Sequence, residues 1–263
     1  MTQPSVCAIM LVNGRADMCA RALRCFEAQT YPSADLLIYD TSEQSLAFNP
    51  PRGARWTVAI PKTHGETIGA LRNEANELAV SADIIMHWDS DDWSHPRRIE
   101  EQVALLQASG KECVGYRDML FWETYPGCPT CAKTLGVHRD PSDCPHARAW
   151  LYTNANPKYC LGTSLCYWRR VWQRHPFADL PKGPTGAGED TQWLRGVDSL
   201  GVACVAAQDD PNSDDPMDQP RMIASVYGGN TTSIAALGIK HGRAPEWRRA
   251  AEFDAYCRGA MKL

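Results

Sequence analysis

The chain has 263 residues, 44% of them hydrophobic, and a formal net charge of -4 at pH 7. This composition allows a substantial buried core, whereas the slightly acidic balance gives no electrostatic support for a nucleic-acid or acidic-membrane partner. No apolar stretch approaches the length of a membrane-spanning helix, and residues 1–12 lack the basic leader and cleavage site of a signal peptide. We therefore expect a cytoplasmic protein, whose eleven cysteines are thiols or metal ligands.

Short apolar runs alternate with helical patterns in the first part of the chain. The runs that predict strands are residues 6–12, 36–39, 56–60 and 84–86. A helical pattern with Cys19, Leu23 and Phe26 on one face separates the first two runs. Nearly continuous apolar strands that alternate with helices predict an α/β domain, with a sheet that helices cover on both faces.

Further helical patterns follow. Residues 66–80 predict a helix that buries Ile68, Leu71, Ala75 and Leu78. The next helix takes Ser94 as its candidate N-cap and Pro96 as a first-turn proline, and buries Ile99, Val103 and Leu106. Residues 245–261 predict a last helix with one face formed by Trp247, Ala250, Phe253 and Cys257.

Polar residues follow several of the predicted strands. Asn13, Asp40 and Asp89 come directly or closely after an apolar run, and ligands bind at the carboxyl ends of strands in such sheets. Residues 89–92 read Asp-Ser-Asp-Asp, which gathers three carboxylates that repel one another. A divalent cation is a common reason for such a cluster, and an Asp-rich turn that caps the next helix is the alternative.

Several short motifs occur in a characteristic order along the chain. They occupy residues 13–15, 29–32, 37–40, 68–73, 89–92, 162–165, 169–172, 188–194 and 229–233. Together they resemble the GT-A glycosyltransferases of the family-2 type, which transfer a sugar from a nucleotide donor; the resemblance covers roughly residues 5–110 and 160–233. It implies one GT-A domain over residues 1–263, with a Rossmann-like nucleotide-binding mixed sheet flanked by helices.

The resemblance implies a nucleotide-sugar donor, with a UDP-sugar favoured, and Mn²⁺ or Mg²⁺ on its diphosphate. By resemblance, Asp91 binds the metal directly, and Asp89 contacts the ribose, or the metal through water. Asp92 caps the helix or touches the ion. Asp40 would accept a hydrogen bond from the base, and Arg72 would face the diphosphate or sugar unless it is an ordinary solvated helix arginine. The remaining donor-binding candidates are Asn13, Arg15, Gly69 and Asn73.

An inverting transfer also needs a base that takes the proton of the acceptor hydroxyl. By resemblance this base is Asp190, at the start of an amphipathic pattern over residues 191–200, and Glu189 orients the acceptor or the loop. An ordinary N-terminal Glu-Asp helix cap is the alternative. The family often places a metal-binding His just before its Gly-Asn-Thr-Ser segment, but residues 226–230 here contain none; His241 is the nearest candidate downstream.

Residues 115–158 do not match the family and are predicted to form a Cys-rich insertion. The candidate ligands of a structural zinc are Cys128, Cys131, His138, Cys144 and His146. Thiolates and imidazoles suit tetrahedral Zn²⁺, with free thiols or a redox pair as alternatives. Aromatic residues near this segment either stack on a sugar or base or pack in the core: Trp122, Tyr125, Trp150 and Tyr152.

The motifs and the resemblance together predict a metal-dependent, inverting glycosyltransferase. The acceptor stays open among a saccharide, a lipid-linked glycan, a modified nucleic acid and a protein. A nucleic-acid acceptor has no basic stripe to support it, although a local patch on the insertion would escape a net-charge count. A non-catalytic module that binds nucleotide sugars and serves as a scaffold is the other alternative.

Overall fold

The computed structural model describes residues 3–49, 54–61, 66–123, 146–180, 188–205, 219–226 and 246–262. In chain order, the strands of this part are β1 (Val6–Val12), β2 (Ala34–Asp40), β3 (Trp56–Ala59), β4 (Ile84–His87), β5 (Trp93–Ser94), β6 (Cys113–Tyr116), β7 (Met119–Glu123), β8 (Arg148–Tyr152), β9 (Cys166–Trp168), β10 (Ser199–Val202), β11 (Met222–Val226) and β12 (Trp247–Arg249). Its helices are α1 (Ala16–Glu27), α2 (Ile68–Leu78), α3 (Arg98–Ser109), α4 (Arg169–Arg174), α5 (Glu189–Leu194) and α6 (Asp254–Ala260), with 3₁₀ turns at Gly162–Ser164 and Ala251–Phe253.

A seven-stranded mixed sheet, in the order β10-β6-β9-β4-β1-β2-β3, takes its strands from residues 6–202. β4, β1, β2 and β3 run parallel, and β9 is antiparallel to both of its neighbours, β4 and β6. In the register, Val12 lies opposite Asp40, and Ile9 lies opposite His87. The carboxyl ends of these strands therefore meet at one edge, as the strand pattern predicted.

Both faces of the central sheet are covered, which explains the continuous apolar strands. Along β1, Ala8 and Met10 belong to one hydrophobic cluster, and Cys7 and Ile9 belong to the other. α1 and α3 contribute to the first cluster, whereas α2, α4 and α5 contribute to the second. No helix in the described ranges has both the length and the apolar character needed to cross a membrane.

A second sheet has five strands, in the order β12-β8-β7-β11-β5, and one of them, β5, directly follows the acidic residues 89–92. β5 pairs antiparallel with β11, so the loop of residues 89–92 joins a strand of the first sheet to a strand of the second. β7 and β8 pair with each other inside the segment predicted as an insertion. Residues 119–123 and 148–152 of the predicted insertion are thus part of regular sheet structure.

The structure corrects the predicted start of α3. Ser94 is not its N-cap, because it lies in β5, where its hydroxyl accepts a hydrogen bond from Arg98 Nη1 at 2.9 Å. α3 begins at Arg98, and Gln29 Oε1 accepts from the backbone N–H of Ile99 at 3.0 Å. A residue just after α1 therefore satisfies a backbone N–H in the first turn of α3, which explains the glutamine of the motif at residues 29–32.

Other predicted helices are shorter in the structure. α2 begins after Thr67, whose hydroxyl caps it, and ends at Leu78, which is 54% exposed rather than buried. α5 ends at Leu194, and Leu200 belongs to β10. At the C-terminus Trp247 starts a strand, because its side chain packs against aromatic residues of the second sheet, and only α6 is α-helical.

Candidate active site

The acidic loop after β4 occupies the carboxyl edge of the central sheet. Asp91 and Asp92 are buried, whereas Asp89 is partly exposed. Asp92 Oδ1 accepts from the backbone N–H of Ser225 at 3.0 Å, and its Oδ2 accepts from the Thr163 hydroxyl at 2.6 Å. Burial, followed by the charges of Asp91 and Asp89, raises the pKa of Asp92 well above its usual range. Asp92 therefore ties the loop to β11 and to the 3₁₀ turn rather than capping α3.

Two fully buried arginines bind main-chain carbonyl groups of this loop and of the segments next to it. Arg21 Nη2 donates to the carbonyl oxygen of Asp91 at 2.7 Å, and its Nη1 donates to that of Met261 at 3.0 Å. Arg98 Nη2 donates to the carbonyl oxygens of His87 at 2.8 Å and Thr163 at 3.1 Å. A guanidinium has several donors in a fixed plane, so each arginine fixes the path of more than one chain segment.

Asp91 forms an ion pair with Arg15 across the site. The Nη1 atom of Arg15 lies 2.9 Å from Asp91 Oδ2, and its Nη2 lies 3.4 Å from the Ser90 hydroxyl. Arg15 precedes α1 in a left-handed backbone conformation, with φ 66° and ψ 49°. The predicted donor residue Arg15 and the predicted metal ligand Asp91 thus meet, while Asn13 is exposed at the end of β1.

Asp40 is fully buried at the end of β2, and its carboxylate organises the loop that follows. Oδ1 accepts from the backbone N–H of Ser42 at 3.0 Å and from its hydroxyl at 2.5 Å. Oδ2 accepts from the Ser45 hydroxyl at 2.9 Å and from the Leu46 N–H at 2.8 Å. Ser42 in turn accepts from the Gly14 N–H at 2.7 Å, which links the loops after β1 and β2. Contact of Asp40 with a base stays a prediction.

Arg72 and Glu189 connect α2 to α5. Arg72 Nε lies 2.9 Å from Glu189 Oε1, and the two side chains are only 9% and 14% exposed. Burial acts to lower the pKa of Arg72, but the carboxylates of Glu189 and Asp89 outweigh it and raise that pKa. Arg72 is therefore a buried, permanently charged group beside the acidic loop and not a solvated helix arginine.

Asp190 sits beside this pair at the start of α5. Its Oδ1 accepts from the backbone N–H of Thr191 at 2.7 Å. A Cβ atom built on Gly162 would overlap Asp190 Oδ2, so the 3₁₀ turn closely abuts this carboxylate. Burial, followed by the charge of Glu189, raises the pKa of Asp190 above its usual range. A carboxylate of increased basicity has the chemistry of a proton acceptor.

His87, which the sequence did not single out, supports the turn under Asp190. It is fully buried, and its Nδ1 lies 2.7 Å from the carbonyl oxygen of Gly162. Burial, followed by the charges of Arg72 and Arg98, lowers the pKa of His87 well below its usual range. A neutral imidazole donates one N–H, and in the tautomer protonated on Nδ1 this donor binds the turn.

Gly69 and Asn73, two further donor-binding candidates, pack against the segment after α4. A Cβ atom on Gly69 would overlap the carbonyl oxygen of Ala178, so only glycine allows this close approach. Asn73 Oδ1 accepts from the Phe177 N–H at 2.9 Å and from Trp172 Nε1 at 2.8 Å. Both residues position α2, and with it Arg72, while donor contact through them stays a prediction.

Most of the predicted zinc ligands, the additional metal ligand and one aromatic residue lie outside the described residues: Cys128, Cys131, His138, Cys144, His241 and Tyr125. His146 is exposed in a turn before β8. Trp122 is buried in the core, and Trp150 and Tyr152 are partly exposed on the second sheet. In the part of the chain that the structure describes, no three Cys, His, Asp or Glu side chains form a group suited to a metal ion.

No family model and no curated protein matches the sequence, but solved structures match the fold. S. aureus TarS, residues 1–349 in complex with UDP-GlcNAc, aligns with a TM-score of 0.57 and 13% identity, over 86% of this chain and 60% of that one. The mannosyltransferase PcManGT from Pyrobaculum calidifontis, in complex with GDP-Man and Mn²⁺, aligns with a TM-score of 0.55 and 15% identity, over 100% of this chain and 71% of that one. This chain has a glycosyltransferase fold.

The glycosyltransferase fold confirms the predicted fold class, a mixed α/β sheet flanked by helices. At 13% and 15% identity the likeness concerns the fold, and this chain spans about 60% of the length of the TarS fragment. The glycosyltransferase fold also explains why the polar residues of separate motifs converge. Asp89 and Asp91 follow β4, and Arg72 lies in the helix that follows β3. Asp190 reaches the same edge through the close approach of Gly162 and through its neighbour Glu189, which pairs with Arg72.

Proposed function

We propose that this protein is a glycosyltransferase that moves a sugar from a nucleotide-diphosphate sugar to an acceptor hydroxyl, with inversion at the anomeric carbon. The observation that carries this proposal is the convergence of the acidic loop, the Arg72–Glu189 ion pair and Asp190 at one edge of the central sheet. The similar structures that hold UDP-GlcNAc or GDP-Man support a nucleotide-sugar donor, and a UDP-sugar is the donor we favour.

Mn²⁺ or Mg²⁺ fits the residues of the acidic loop. Such ions usually take one or two protein carboxylates and complete their shell with water and substrate phosphates. Asp91 would hold the ion, with Asp89 beside it or on the ribose, whereas both oxygens of Asp92 are engaged by protein donors. When bound, the metal neutralises charge on the departing diphosphate. His241 would be a further ligand.

Asp190 carries the proton transfer in this proposal. The acceptor oxygen attacks the anomeric carbon, the bond from that carbon to the diphosphate oxygen breaks, and the acceptor proton passes to a carboxylate oxygen of Asp190. Its raised pKa makes Asp190 a stronger base than an exposed aspartate. Glu189 is held by Arg72, so it positions the start of α5 and leaves Asp190 as the base.

The close approach of Gly162 to Asp190 gives a prediction. Gly162→Ala is expected to lower kcat by about 10²-fold, since the added methyl group must displace the Asp190 carboxylate and small misplacements of reacting groups are that costly. Steady-state transfer kinetics measure the effect. Gly259→Ala in α6 is the matched control, because a Cβ there meets open space, and it should keep full activity. Wild-type kcat in Gly162→Ala would contradict the placement of the base.

A saccharide or lipid-linked glycan is the proposed acceptor, with a modified nucleic acid or a protein as the second candidate. A non-catalytic scaffold that binds nucleotide sugars is the alternative function, and transfer of the sugar to an acceptor distinguishes the two. A cytoplasmic location stays an expectation.

A screen of nucleotide sugars tests the proposed function. With and without Mn²⁺, a true donor is expected to raise the melting temperature, because a ligand at a hundred times its Kd stabilises the folded state by about 2.7 kcal/mol. The same donor should then be hydrolysed slowly in water when no acceptor is present. Glu27→Gln, at an exposed position of α1, serves as the matched surface control and should respond as the wild type does.

The outcomes of this screen separate the candidate functions. A stabilising donor that is neither hydrolysed nor transferred to any acceptor would favour the non-catalytic scaffold. Absence of any stabilisation by UDP-, GDP-, dTDP- or CMP-sugars would contradict nucleotide-sugar binding altogether. The configuration of the product at the anomeric carbon, read by proton NMR, distinguishes inversion from retention.

A structural zinc ion in the segment around residues 128–146 stays a separate proposal. Its ligands would be four of Cys128, Cys131, His138, Cys144 and His146. Elemental analysis of the purified protein is expected to find one zinc per chain, and loss of zinc in a Cys128→Ser and Cys131→Ser double variant would identify the ligands. A metal-free protein with normal folding would leave these cysteines as thiols.

A further inference from the structure

Arg15 combines an unfavourable backbone conformation with a charge contact in the site. Its φ of 66° lies in the left-handed region, which a residue with a Cβ rarely adopts. The turn is held from both sides, since the Gly14 N–H donates to the Ser42 hydroxyl and the Arg15 carbonyl accepts from the Cys19 N–H at 3.1 Å. Strain that the surroundings maintain in this way is concentrated at functional sites.

The strained turn directs the Arg15 side chain onto the carboxylate proposed to bind the metal. Arg15 Nη1 lies 2.9 Å from Asp91 Oδ2, with the Asp91 side chain 10% exposed and the Arg15 side chain 28% exposed. The positive charge of the guanidinium therefore already neutralises the charge on this oxygen. A metal ion that approaches Oδ2 of Asp91 in the free protein must therefore compete with Arg15 for that oxygen, and at either oxygen the guanidinium charge repels it.

We propose that Arg15 is a resident cation that occupies Asp91 until the donor diphosphate binds, so that metal and nucleotide bind in a mutually dependent way. This inference rests on the proposed function. A guanidinium matches phosphate oxygens with two parallel hydrogen bonds, and Arg15 is the more exposed partner of the pair. The diphosphate thus draws Arg15 from Asp91, Asp91 becomes available to the metal, and Arg15 becomes a second positive charge on the leaving group.

Reciprocal coupling is the measurable consequence. If nucleotide releases Asp91 for the metal, it must strengthen metal binding by the same factor by which metal strengthens nucleotide binding. Couplings of this kind are typically about 5- to 150-fold. Removal of the Arg15 charge is expected to strengthen binding of the metal alone and to reduce the coupling, a combination that loss of a merely structural residue does not produce.

Mn²⁺ binding, followed by electron paramagnetic resonance with and without UDP and with GDP in parallel, tests the proposal. Arg15→Asn removes the charge but tolerates the left-handed backbone. Its affinity for Mn²⁺ alone should rise at least about 5-fold, and the strengthening by UDP or GDP should fall below the range of typical couplings. Arg15→Lys keeps the charge and should bind Mn²⁺ alone as weakly as the wild type. Arg24→Gln, at an exposed position of α1, the helix that Arg15 precedes, is the control.

The outcomes distinguish this inference from the proposed function. Unchanged Mn²⁺ affinity and unchanged coupling in folded Arg15→Asn would overturn the role of Arg15 while nucleotide binding stands. If the wild type binds neither UDP nor GDP under any condition, both the proposed function and this inference fail. If Arg15→Asn does not fold, the comparison of wild type with Arg15→Lys decides, because strong binding of Mn²⁺ alone by either of these charged forms contradicts the competition.

Discussion

Replacing Asp190 with asparagine is expected to lower kcat by about 10²- to 10⁴-fold, the usual contribution of a general base, without weakening donor binding. Asparagine has nearly the same volume, and its carbonyl oxygen still accepts the hydrogen bond from the Thr191 N–H. It has no lone pair basic enough to take the acceptor proton. The loss should therefore appear in kcat, and the melting-temperature shift with donor should remain.

The same substitution should not reduce stability. Burial and then Glu189 raise the pKa of Asp190 in the folded state above its unfolded value of about 3.9. The stability that this group contributes is fully present below the unfolded pKa and is lost as the pH rises through the folded pKa. At pH 7 the wild type thus carries the unfavourable charge, and Asp190→Asn should melt at the same or a higher temperature.

The pH profile gives an independent test of Asp190. Because the base must be ionised, kcat/KM should rise with pH through the raised pKa of Asp190, and this acid limb should vanish from the residual activity of Asp190→Asn. Asp17→Asn, which removes an exposed acid from the first turn of α1, is the matched control. It should keep the wild-type kcat and the rise of kcat/KM with pH. A kcat within tenfold of the wild type would show that another group takes the proton.

The strand pattern predicted the part of the fold that positions the site. Continuous apolar runs are required wherever helices cover both faces of a sheet, so β1 to β4 were recognisable from the apolar runs in the sequence. Their shared carboxyl edge then followed from parallel pairing, and it brought Asp40 and the acidic loop together. The second sheet was not predicted, because short strands such as β5 and β12 pair only with partners distant in the sequence.

The sequence predicted candidate residues of the site but not the buried residues that hold them in place. Arg21 and Arg98 lie in helices, where arginine side chains are ordinarily exposed to solvent. Each is nevertheless buried and binds main-chain carbonyl groups. Their roles depend on segments that meet only in three dimensions. The same holds for Gln29, whose cap of α3 replaced the predicted Ser94, and for His87, whose partner is the turn at Gly162.

A pair of neighbouring substitutions separates binding of the metal from support of the loop. Asp91→Asn is expected to lower donor hydrolysis and transfer by at least about 10²-fold, the scale of losing one group that stabilises charge in a transition state. Its stability should change little, because asparagine still accepts a hydrogen bond from Arg15, whose side chain is 28% exposed and keeps part of its charge in contact with solvent. The response of the rate to added Mn²⁺ should be lost or shifted to much higher concentrations.

Asp92→Ala should behave in the opposite way. It leaves the buried N–H of Ser225 and the Thr163 hydroxyl without their acceptor, which costs about 1–3 kcal/mol for each unsatisfied group. Unfolding in urea measures this loss, while the Mn²⁺ concentration for half-maximal rate in the surviving folded protein should stay near the wild-type value. If instead Asp91→Asn keeps its Mn²⁺ response and Asp92→Ala loses it, the two aspartates have exchanged roles. The metal would then lie deeper in the loop, at the oxygens that now bind β11 and the 3₁₀ turn.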